Sequence, residues 1–245
     1  ATAAHASQLA ATGGYVALGD SYSSGVGAGS YISSSGDCKR STKAYPYLWA
    51  AANSPSSFDF TACSGARTGD VLSGQLGPLS TATGLVSISV GGNDAGFADV
   101  MTTCVLQSDS SCLSRIATAR AYVDSTLPGR LDSVYSAISD RAPNADVVVL
   151  GYPRFYQLGT FCIGLSETKR KAINGAADHL DNAIAQRARA HGFTFGDVRT
   201  TFTGHEICSG NSWLHSVDWF NIGNSYHPKA AGQSGDYLPV LNNAV

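Results

Sequence analysis

The feature that most constrains this chain is a repeated pattern of short apolar segments, each broken by a glycine turn that carries polar residues. Residues 15–18 are followed by Gly-Asp-Ser, residues 58–62 by Cys-Ser-Gly, and residues 85–90 by Gly-Gly-Asn-Asp. Alternating or continuous apolar character over so few residues is typical of buried β-strands. The sequence therefore predicts at least three strands, each of which presents polar groups where it ends.

Segments with helical spacing lie between these strands. Predicted helices begin near residue 45, cover residues 67–76 and 131–138, run from an N-cap at Ser166 to about residue 192, and close the chain at residues 230–241. Two further strands are predicted at residues 145–150 and 193–198. Strands that alternate with helices in this way form a parallel sheet. The sequence therefore predicts an α/β fold, a three-layer α/β/α sandwich in which about five parallel strands carry helices on both faces.

Two stretches show no convincing periodicity. One carries Cys104 and Cys112, and we expect a short loop there, before the helix that contains residues 131–138. The other, residues 199–224, is predicted to be a long ordered loop, and such a loop in a compact domain usually serves a function. Its large apolar residues are Phe202, Trp213, Leu214, Trp219, Phe220 and Ile222. These side chains form either the wall of a binding pocket or the loop's own packing.

Composition and charge narrow the possible functions. Only 14% of the residues are charged and the net charge is −2, so the chain lacks the basic excess of proteins that bind nucleic acid. No apolar stretch approaches the roughly 18 residues needed to cross a bilayer, and no transmembrane segment is expected. Residues 1–14 are small and polar and are expected to be disordered. Residues 15–245 contain no linker, and we expect them to form a single domain and a monomer.

The six cysteines form an even set without a Cys-x-x-Cys motif or a histidine at metal-ligand spacing, so we expect disulfide bonds and neither a metal nor a cofactor. Pairing in order along the chain is the simplest of the possible connectivities. It joins Cys38 to Cys63, Cys104 to Cys112, and Cys162 to Cys208. Three disulfide bonds indicate an oxidising compartment, hence a secreted, extracellular protein. Residues 1–12 lack the charged and apolar regions of a signal peptide. We therefore expect that any signal peptide has already been removed.

Four polar positions are expected to converge: Ser21, Gly65 and Asn93, which follow the first three strands, and His227, which precedes the last helix. The carboxyl ends of parallel strands meet at one edge of a sheet, where ligands bind. Acyl transfer is the chemistry that needs such a set. Ser21 would attack, and His227 would accept its proton. The backbone N–H groups of Ser21 and Gly65 and the side-chain amide of Asn93 would form the oxyanion hole.

In order and spacing, these four blocks resemble those of the SGNH (GDSL-type) hydrolase family. The cysteine pairs and the segment lengths resemble, more narrowly, the secreted lipases, esterases and phospholipases A1 of Streptomyces. The similarity covers residues 15–241. It implies an SGNH/flavodoxin-like α/β/α fold and a secreted carboxylic ester hydrolase, a lipase or esterase, that cleaves acyl esters of lipids through an acyl-enzyme.

One position departs from the pattern of many members of the family, which have an acid three residues before the histidine. Here that position is Asn224, and Asp218, nine residues before His227, could reach the histidine only if the loop folds over. We therefore expect a Ser-His dyad. In it, the main-chain carbonyl of Asn224 or Ser225 accepts the Nδ1 proton of His227, a replacement similar to that in secreted actinomycete members of the family.

Several residues have a second interpretation. Ser23 could be the nucleophile, and His205, in the long loop, could be the base. Asn93 could cap the helix that follows it. Each interpretation makes a separate prediction about where the side chain lies in the folded chain.

More than one function is compatible with these residues. Phospholipase A1 uses the same mechanism and differs only in the head group of the substrate, and a sugar acetylesterase would need a smaller acyl pocket. A cluster of Lys39, Arg40 and Lys43 could meet a phosphate, although isolated basic clusters are more often solvated surface. A non-catalytic secreted binding domain could have inherited the fold, since fold alone does not determine function.

Overall fold

The fold is built on one sheet, described here from a computed structural model of residues 13–245. The strands are β1 (Gly14–Gly19), β2 (Phe58–Phe60), β3 (Thr83–Ser89), β4 (Asp146–Leu150) and β5 (Thr194–Gly196). All neighbouring strands are parallel, and their order is β2-β1-β3-β4-β5. Every residue of β1 and β3 is buried, as expected for strands at the centre of a sheet covered on both faces.

Helices cover the sheet. They are α1 (Ser21–Ser24), α2 (Tyr45–Asn53), α3 (Thr68–Gly74), α4 (Phe97–Leu106), α5 (Asp109–Ser125), α6 (Leu127–Arg141), α7 (Glu167–Ala190), α8 (Ala230–Gly232) and α9 (Leu238–Ala244). A π-helical turn (Gln233–Tyr237) joins α8 to α9, and short 3₁₀ helices lie at Ser33–Cys38 and Ile222–Asn224. Helix α7 packs on β4 and β5 and also contacts α5 and α6, whereas α9 packs on the same two strands and also contacts α2. The predicted α/β/α architecture is confirmed.

The order of the strands creates a crevice at the centre of the sheet. From β1 the chain moves to one side to form β2 and then crosses to the other side to form β3. Ligands of such sheets bind outside the carboxyl ends of the strands, where the direction of winding changes. Ser21 lies two residues after the end of β1, and the Gly-Gly-Asn-Asp turn begins two residues after the end of β3. Both turns therefore lie at this crevice.

The prediction of a short loop around Cys104 and Cys112 is wrong, because helices α4 and α5 occupy most of this region. The side chain of Ser108 caps α5 by accepting a hydrogen bond from the N–H of Ser111. The buried positions of α5 do follow helical spacing: Cys112, Ile116, Ala119 and Val123. Two of these side chains are small, so the apolar stripe of α5 is weak in the sequence.

The N-terminal segment also differs in part from the prediction that residues 1–14 are disordered. Residues 1–12 of the segment expected to be disordered lie outside the described residues. Gly14, the last residue of that segment, instead begins β1 and pairs with Thr83.

The N-cap predicted at Ser166 is present, since its side chain accepts a hydrogen bond from the N–H of Lys169. Residues 199–221 form neither helix nor strand, as the long loop requires.

Three disulfide bonds are present: Cys38–Cys63, Cys104–Cys112 and Cys162–Cys208. The first ties the 3₁₀ helix Ser33–Cys38 to the turn after β2, and the second joins α4 to α5. The third anchors the segment before α7 to the long loop. Each bond thus fixes a segment that lies outside the sheet. Among residues 13–245, no helix has the length and apolar character that a membrane span requires.

Candidate active site

Ser21 and His227 are in hydrogen-bond contact although 206 residues separate them. The Oγ atom of Ser21 lies 2.7 Å from Nε2 of His227. The Nδ1 atom of His227 lies 3.0 Å from the carbonyl oxygen of Ser225. Because a carbonyl can only accept, Nδ1 carries the proton of the neutral ring, and Nε2 is left to accept the hydroxyl proton of Ser21. The pair is arranged for proton transfer from serine to histidine.

Main-chain contacts hold His227 in this position. An antiparallel bridge joins Leu214 to Pro228, and the N–H of His215 donates to the carbonyl of His227 over 2.9 Å. Nε2 of His215 lies 2.7 Å from the carbonyl oxygen of Gly27. Gly27 has φ +93°, and a Cβ at this position would lie 2.8 Å from the carbonyl oxygen of Pro228. The segment that carries His227 therefore packs against the chain that follows α1.

Asp20 holds the turn that presents Ser21. Its carboxylate is almost fully buried and accepts hydrogen bonds from the N–H of Tyr22 and the hydroxyls of Ser89 and Tyr152. Burial raises the pKa of Asp20 to about 6, although these three hydrogen bonds act in the opposite direction. The bonds join the turn after β1 to the last residue of β3 and to a residue just after β4. Three neighbouring strand ends thus fix the backbone of Ser21.

Groups suited to an oxyanion hole lie on adjacent turns. Within residues 13–245, neither the N–H of Ser21 nor that of Gly65 has a hydrogen-bond acceptor. Nδ2 of Asn93 donates to the carbonyl oxygen of Ala66 over 2.9 Å, which ties the turn after β3 to the turn after β2. An amide nitrogen has two hydrogens, so this bond leaves one N–H of Asn93 for a ligand.

Asp94 reinforces the same connection. Its carboxylate accepts hydrogen bonds from the backbone N–H of Thr68, over 3.0 Å, and from the hydroxyl of Thr68, over 2.6 Å. Thr68 is the first residue of α3, where a carboxylate also interacts favourably with the helix dipole. Asp94 therefore positions the turn that carries Asn93 and makes no hydrogen bond to Ser21 or His227.

The environment of His227 favours the neutral ring. Burial lowers the pKa of His227 to about 4, and the positive charge of Lys39 and the neighbouring ring of His215 act in the same direction. The hydrogen bond to the Ser225 carbonyl opposes this shift only in part. An imidazole with this pKa can accept a proton even in mildly acidic solution.

This pKa predicts the pH dependence of any activity that uses His227 as a base. The acid limb of kcat/KM reports the pKa of the free enzyme, and we expect its midpoint near pH 4 instead of the ordinary histidine value of about 6.5. A pH profile of kcat/KM with a soluble ester measures it. A midpoint between pH 6 and 7 would contradict the prediction.

Stability provides the control for that profile. The pKa of His227 is lower in the folded chain, so its contribution to stability is present above about pH 6.5 and is lost as the pH falls through about 4. The pKa of Asp20 is raised on folding, so its contribution is present below about pH 3.8 and is lost as the pH rises through about 6. Because the two offset each other, circular dichroism should show folded protein at the midpoint of the activity loss.

A largely apolar cavity of about 410 Å³ opens beside Ser21 and His227. Its size is in the range of sites that bury a small organic ligand. The larger apolar side chains that line it are Phe97, Met101, Val105, Leu106, Phe155, Leu180 and Trp219. A flexible acyl chain of a substrate would find apolar contacts on several sides of this cavity.

Sequence reasoning missed the helix that forms much of this wall. Phe97, Met101 and Val105 all belong to α4 and recur at every fourth position, which places them on one face of a helix. That spacing was a usable signal. Tyr152, which also lines the cavity and donates a hydrogen bond to Asp20, had no comparable signal because it follows β4 without a motif.

Ser23 and His205 lie away from the cavity. The hydroxyl of Ser23 is fully buried and bonds to the hydroxyls of Tyr45 and Ser89. Nδ1 of His205 lies 2.9 Å from the carbonyl oxygen of Asn211, and its ring stacks on Trp213. Neither Ser23 nor His205 is among the residues that line the cavity.

The local geometry does not match a helix-capping role for Asn93 or a catalytic role for the acid Asp218. Helix α4 has Gly96 as its N-cap and no side-chain cap, so the side chain of Asn93 does not cap it. The carboxylate of Asp218 accepts hydrogen bonds from two backbone N–H groups within its own turn. No contact of Asp218 with His227 occurs among the hydrogen bonds of the described residues.

Asn224 contributes to this region through its backbone. Its carbonyl accepts a hydrogen bond from the N–H of His227 over 3.1 Å, whereas the carbonyl of Ser225 is the one at Nδ1. The side-chain Oδ1 of Asn224 is buried, and within residues 13–245 it has no hydrogen-bond partner. Asn224 therefore does not occupy the place of an acid beside the imidazole ring.

The large apolar residues of the long loop divide between the two expected roles. Phe202 and Leu214 are buried in the core, and Trp213 packs on Phe202. Trp219 lines the cavity, whereas the neighbouring Phe220 is fully exposed. The loop therefore packs its first part and builds the cavity wall with its last part.

Fold and site together have the arrangement of an α/β/α ester hydrolase, and a family model agrees with this class. The model, described as the GDSL-like Lipase/Acylhydrolase family, matches residues 17–234. The chain belongs to this family. The family predicted from the four sequence blocks, and the predicted class of enzyme, a carboxylic ester hydrolase, are therefore confirmed.

Relatives from Streptomyces are similar over the whole length. The chain is 84% identical to "Lipase 1" of Streptomyces coelicolor, over 100% of this chain and 91% of that protein. It is also similar to the crystal structure of phospholipase A1 from Streptomyces albidoflavus NA297. The two sequences are 68% identical, and the structures give a TM-score of 0.94 over 96% of this chain and 100% of that one. The structure of an extracellular lipase from Streptomyces rimosus gives 66% identity, a TM-score of 0.93 and the same coverage.

Proposed function

We propose that the protein hydrolyses acyl esters of lipids as a lipase, with Ser21 as nucleophile and His227 as general base. One observation carries this proposal: the Ser21 Oγ to His227 Nε2 contact of 2.7 Å at the edge of an apolar cavity. The names of the Streptomyces coelicolor and Streptomyces rimosus relatives support lipids as the substrate class.

The proposed reaction has two halves. Oγ of Ser21 attacks the ester carbonyl carbon while its proton passes to Nε2 of His227, and the carbonyl oxygen becomes an oxyanion. The N–H groups of Ser21, Gly65 and Asn93 stabilise that charge. The imidazolium then protonates the oxygen of the departing alcohol, the bond between that oxygen and the acyl carbon breaks, and the acyl group remains on Oγ of Ser21. In the second half, His227 activates a water molecule that releases the fatty acid and restores Ser21.

The Ser225 carbonyl takes the place of a third catalytic side chain in this proposal. It holds the Nδ1 proton of His227 over 3.0 Å and so fixes both the tautomer and the orientation of the ring. A neutral carbonyl stabilises the imidazolium less than a carboxylate does, which agrees with a lowered pKa of His227.

Hydrolysis of a p-nitrophenyl ester by the purified protein tests the proposed function. Wild-type turnover together with its loss in Ser21→Ala would support the proposal. A wild-type protein without turnover on esters of several chain lengths would refute it. Covalent modification of Ser21 by an organophosphonate, located by peptide mass spectrometry, identifies the nucleophile independently.

A dyad predicts that no acid is indispensable, so we expect Asp218→Ala to keep kcat within about tenfold of the wild type. Removal of a true triad carboxylate costs about 10⁴-fold. In this chain, the substitution removes only the hydrogen bonds that Asp218 accepts from Phe220 and Asn221. Steady-state kinetics with a soluble ester measures the effect.

The matched control is Asp218→Asn, which removes the charge but retains a side-chain oxygen for the turn. If both variants lost about 10⁴-fold in kcat with unchanged circular dichroism, Asp218 would be a third catalytic member. A loss confined to Asp218→Ala would instead assign its effect to the shape of the turn.

Phospholipase A1 activity is the second candidate function. The 68% identity to the phospholipase A1 of Streptomyces albidoflavus favours it, and so does the cation of Lys39 next to a residue that lines the cavity. Gly223 lines the cavity, and a Cβ at this glycine would lie 3.5 Å from Nζ of Lys39, where a substrate phosphate could be met. Mass spectrometry of the products from mixed triacylglycerols and phospholipids distinguishes the two activities and identifies the ester position that is cleaved.

We further propose that the protein is secreted. Its three disulfide bonds suit an oxidising compartment, and the relative from Streptomyces rimosus is described as extracellular. Antibody detection in the culture medium of the producing cells, set against a cytosolic marker, tests this. Accumulation in the cytosol with reduced cysteines would contradict it.

A further inference from the structure

Large apolar side chains are exposed at the mouth of the cavity and on the segment that follows Phe155, a residue of the cavity lining. We define the apolar rim as Leu106, Leu158, Phe161, Ile163, Trp219 and Phe220. Phe161 and Ile163 are each 86% exposed, and Phe220 is fully exposed. Exposed apolar residues scattered singly are ordinary, but a group of this size on neighbouring segments indicates an interaction surface.

The rim is continuous with the cavity. Leu106 and Trp219 line the cavity and yet are 67% and 68% exposed, so both lie at its opening. Phe220 follows Trp219 directly. The apolar character of the cavity mouth at Trp219 thus continues onto the exterior of the protein at Phe220, which does not line the cavity.

The segment that carries Leu158, Phe161 and Ile163 lies next to the end of α4. It leads directly into α7, where Nζ of Lys169 donates a hydrogen bond to the carbonyl of Gln107, the residue after Leu106. Close by, the hydroxyl of Ser166 donates to the carboxylate of Asp109 over 2.9 Å. These contacts place the segment on the same side of the molecule as the rim residue Leu106.

The part of the rim that carries Leu158, Phe161 and Ile163 is also fixed in place. Cys162, between Phe161 and Ile163, is bonded to Cys208, and the guanidinium of Arg170 donates to the carbonyls of Gln157 and Thr160. A backbone held by such contacts loses little further conformational freedom when its side chains insert into a partner.

The charge of the rim indicates what kind of partner fits. Residues 157–165 and residues 219–226 contain no Asp, Glu, Lys or Arg. Protein interfaces with a soluble partner carry a polar rim with hydrogen bonds and charges. Two uncharged loops with projecting Phe, Ile and Trp side chains are instead suited to the boundary between lipid head groups and acyl chains.

We propose that the apolar rim docks the protein on a lipid–water interface, with the mouth of the cavity facing the lipid. The proposal rests on lipid ester hydrolysis as the proposed function. The rim side chains insert between the head groups, and a lipid molecule then moves its acyl chain into the cavity without crossing bulk water. Docking therefore adds to substrate capture and leaves the chemical step at Ser21 unchanged.

Binding to vesicles tests the proposal without any need for turnover. Wild type, Phe161→Ser/Ile163→Ser and Phe220→Ser are incubated with phosphatidylcholine vesicles, and the bound fraction is measured by flotation. Since these exposed side chains bury their apolar area only on insertion, we expect the partition coefficient to fall about tenfold or more in each variant. Leu72→Ser, at an exposed leucine of α3 outside the rim, is the matched control and should bind as the wild type does.

Hydrolysis provides the second measurement. With a p-nitrophenyl ester dissolved below its aggregation limit, the rim variants should retain the kcat/KM of the wild type, because Phe161, Ile163 and Phe220 do not line the cavity. With vesicle or emulsion substrate, their rates should fall in proportion to binding.

Three outcomes would overturn docking on lipid. They are wild-type protein that does not bind vesicles, rim variants that bind as the wild type does, and a wild-type dimer in sedimentation that the same substitutions disperse, which would assign the rim to a second copy of the chain. Vesicle binding that depends on the rim, without ester hydrolysis, would refute the proposed function and leave docking intact. The two proposals thus fail in different ways.

Discussion

Ser21→Ala and His227→Ala are each expected to lower kcat by about 10⁶-fold, and the double variant should be little worse than either single one. The reason is the geometry of the pair. Without the imidazole at 2.7 Å, the Ser21 hydroxyl has no base to take its proton, and without the hydroxyl, the imidazole has no nucleophile to activate. Two residues that act on the same proton lose their effect together.

The measurement is kcat for a soluble p-nitrophenyl ester in the two single variants and the double variant. Circular dichroism and thermal melting control for folding, since Ser21 lies at the start of α1 and is itself buried. Losses that multiply in the double variant would show that Ser21 and His227 act independently, which would contradict the dyad.

The candidate site could be predicted from the sequence because its parts follow strands. Ser21 and Asn93 lie in the turns that follow β1 and β3, and the carboxyl ends of these adjacent strands form one edge. A glycine breaks each strand for a physical reason. Gly19 has φ +129°, and a Cβ there would lie 2.6 Å from the carbonyl oxygen of Ser89. Local sequence therefore encodes both the end of the strand and the turn that follows it.

The identity of the carbonyl that orients His227 could not be predicted. Asn224 and Ser225 are adjacent, and each carbonyl lies within a few bonds of the ring, so the choice depends on how the loop folds. In the structure, the backbone N–H of His227 donates to the carbonyl of Asn224, whereas its Nδ1 atom is hydrogen-bonded to the carbonyl of Ser225. This arrangement follows from the pairing of the segment with His215, a contact that no local pattern records.

The cavity wall was missed for a related reason. Helix α4 begins at Phe97, and its N-cap is Gly96, which has φ +76° and no side chain to cap the helix. It therefore lacks the usual signal of a helix start. Its neighbour α5 buries small side chains such as Ala119 and Cys112. Both helices are stabilised by packing against each other and by the Cys104–Cys112 bond, which are tertiary effects.

Asn93→Ala is expected to lower kcat by about 10² to 10³-fold with little change in KM, the cost of removing one oxyanion donor. The amide of Asn93 is held by its bond to the carbonyl of Ala66, and its second N–H is free for the charge that develops on the carbonyl oxygen of the ester. Because that charge is small in the bound ester and large in the transition state, the loss should appear in kcat.

A matched variant separates this electrostatic role from a structural one. Asp94→Ala removes two hydrogen bonds that hold the same turn, those from the N–H and the hydroxyl of Thr68, but it leaves the amide of Asn93 in place. We expect it to lower the melting temperature and to reduce kcat by less than Asn93→Ala does. Equal losses in the two variants would mean that the position of the turn is responsible. A loss in Asn93→Ala that appears only in KM would assign Asn93 to ground-state binding, because a donor that acts on the oxyanion must act on kcat.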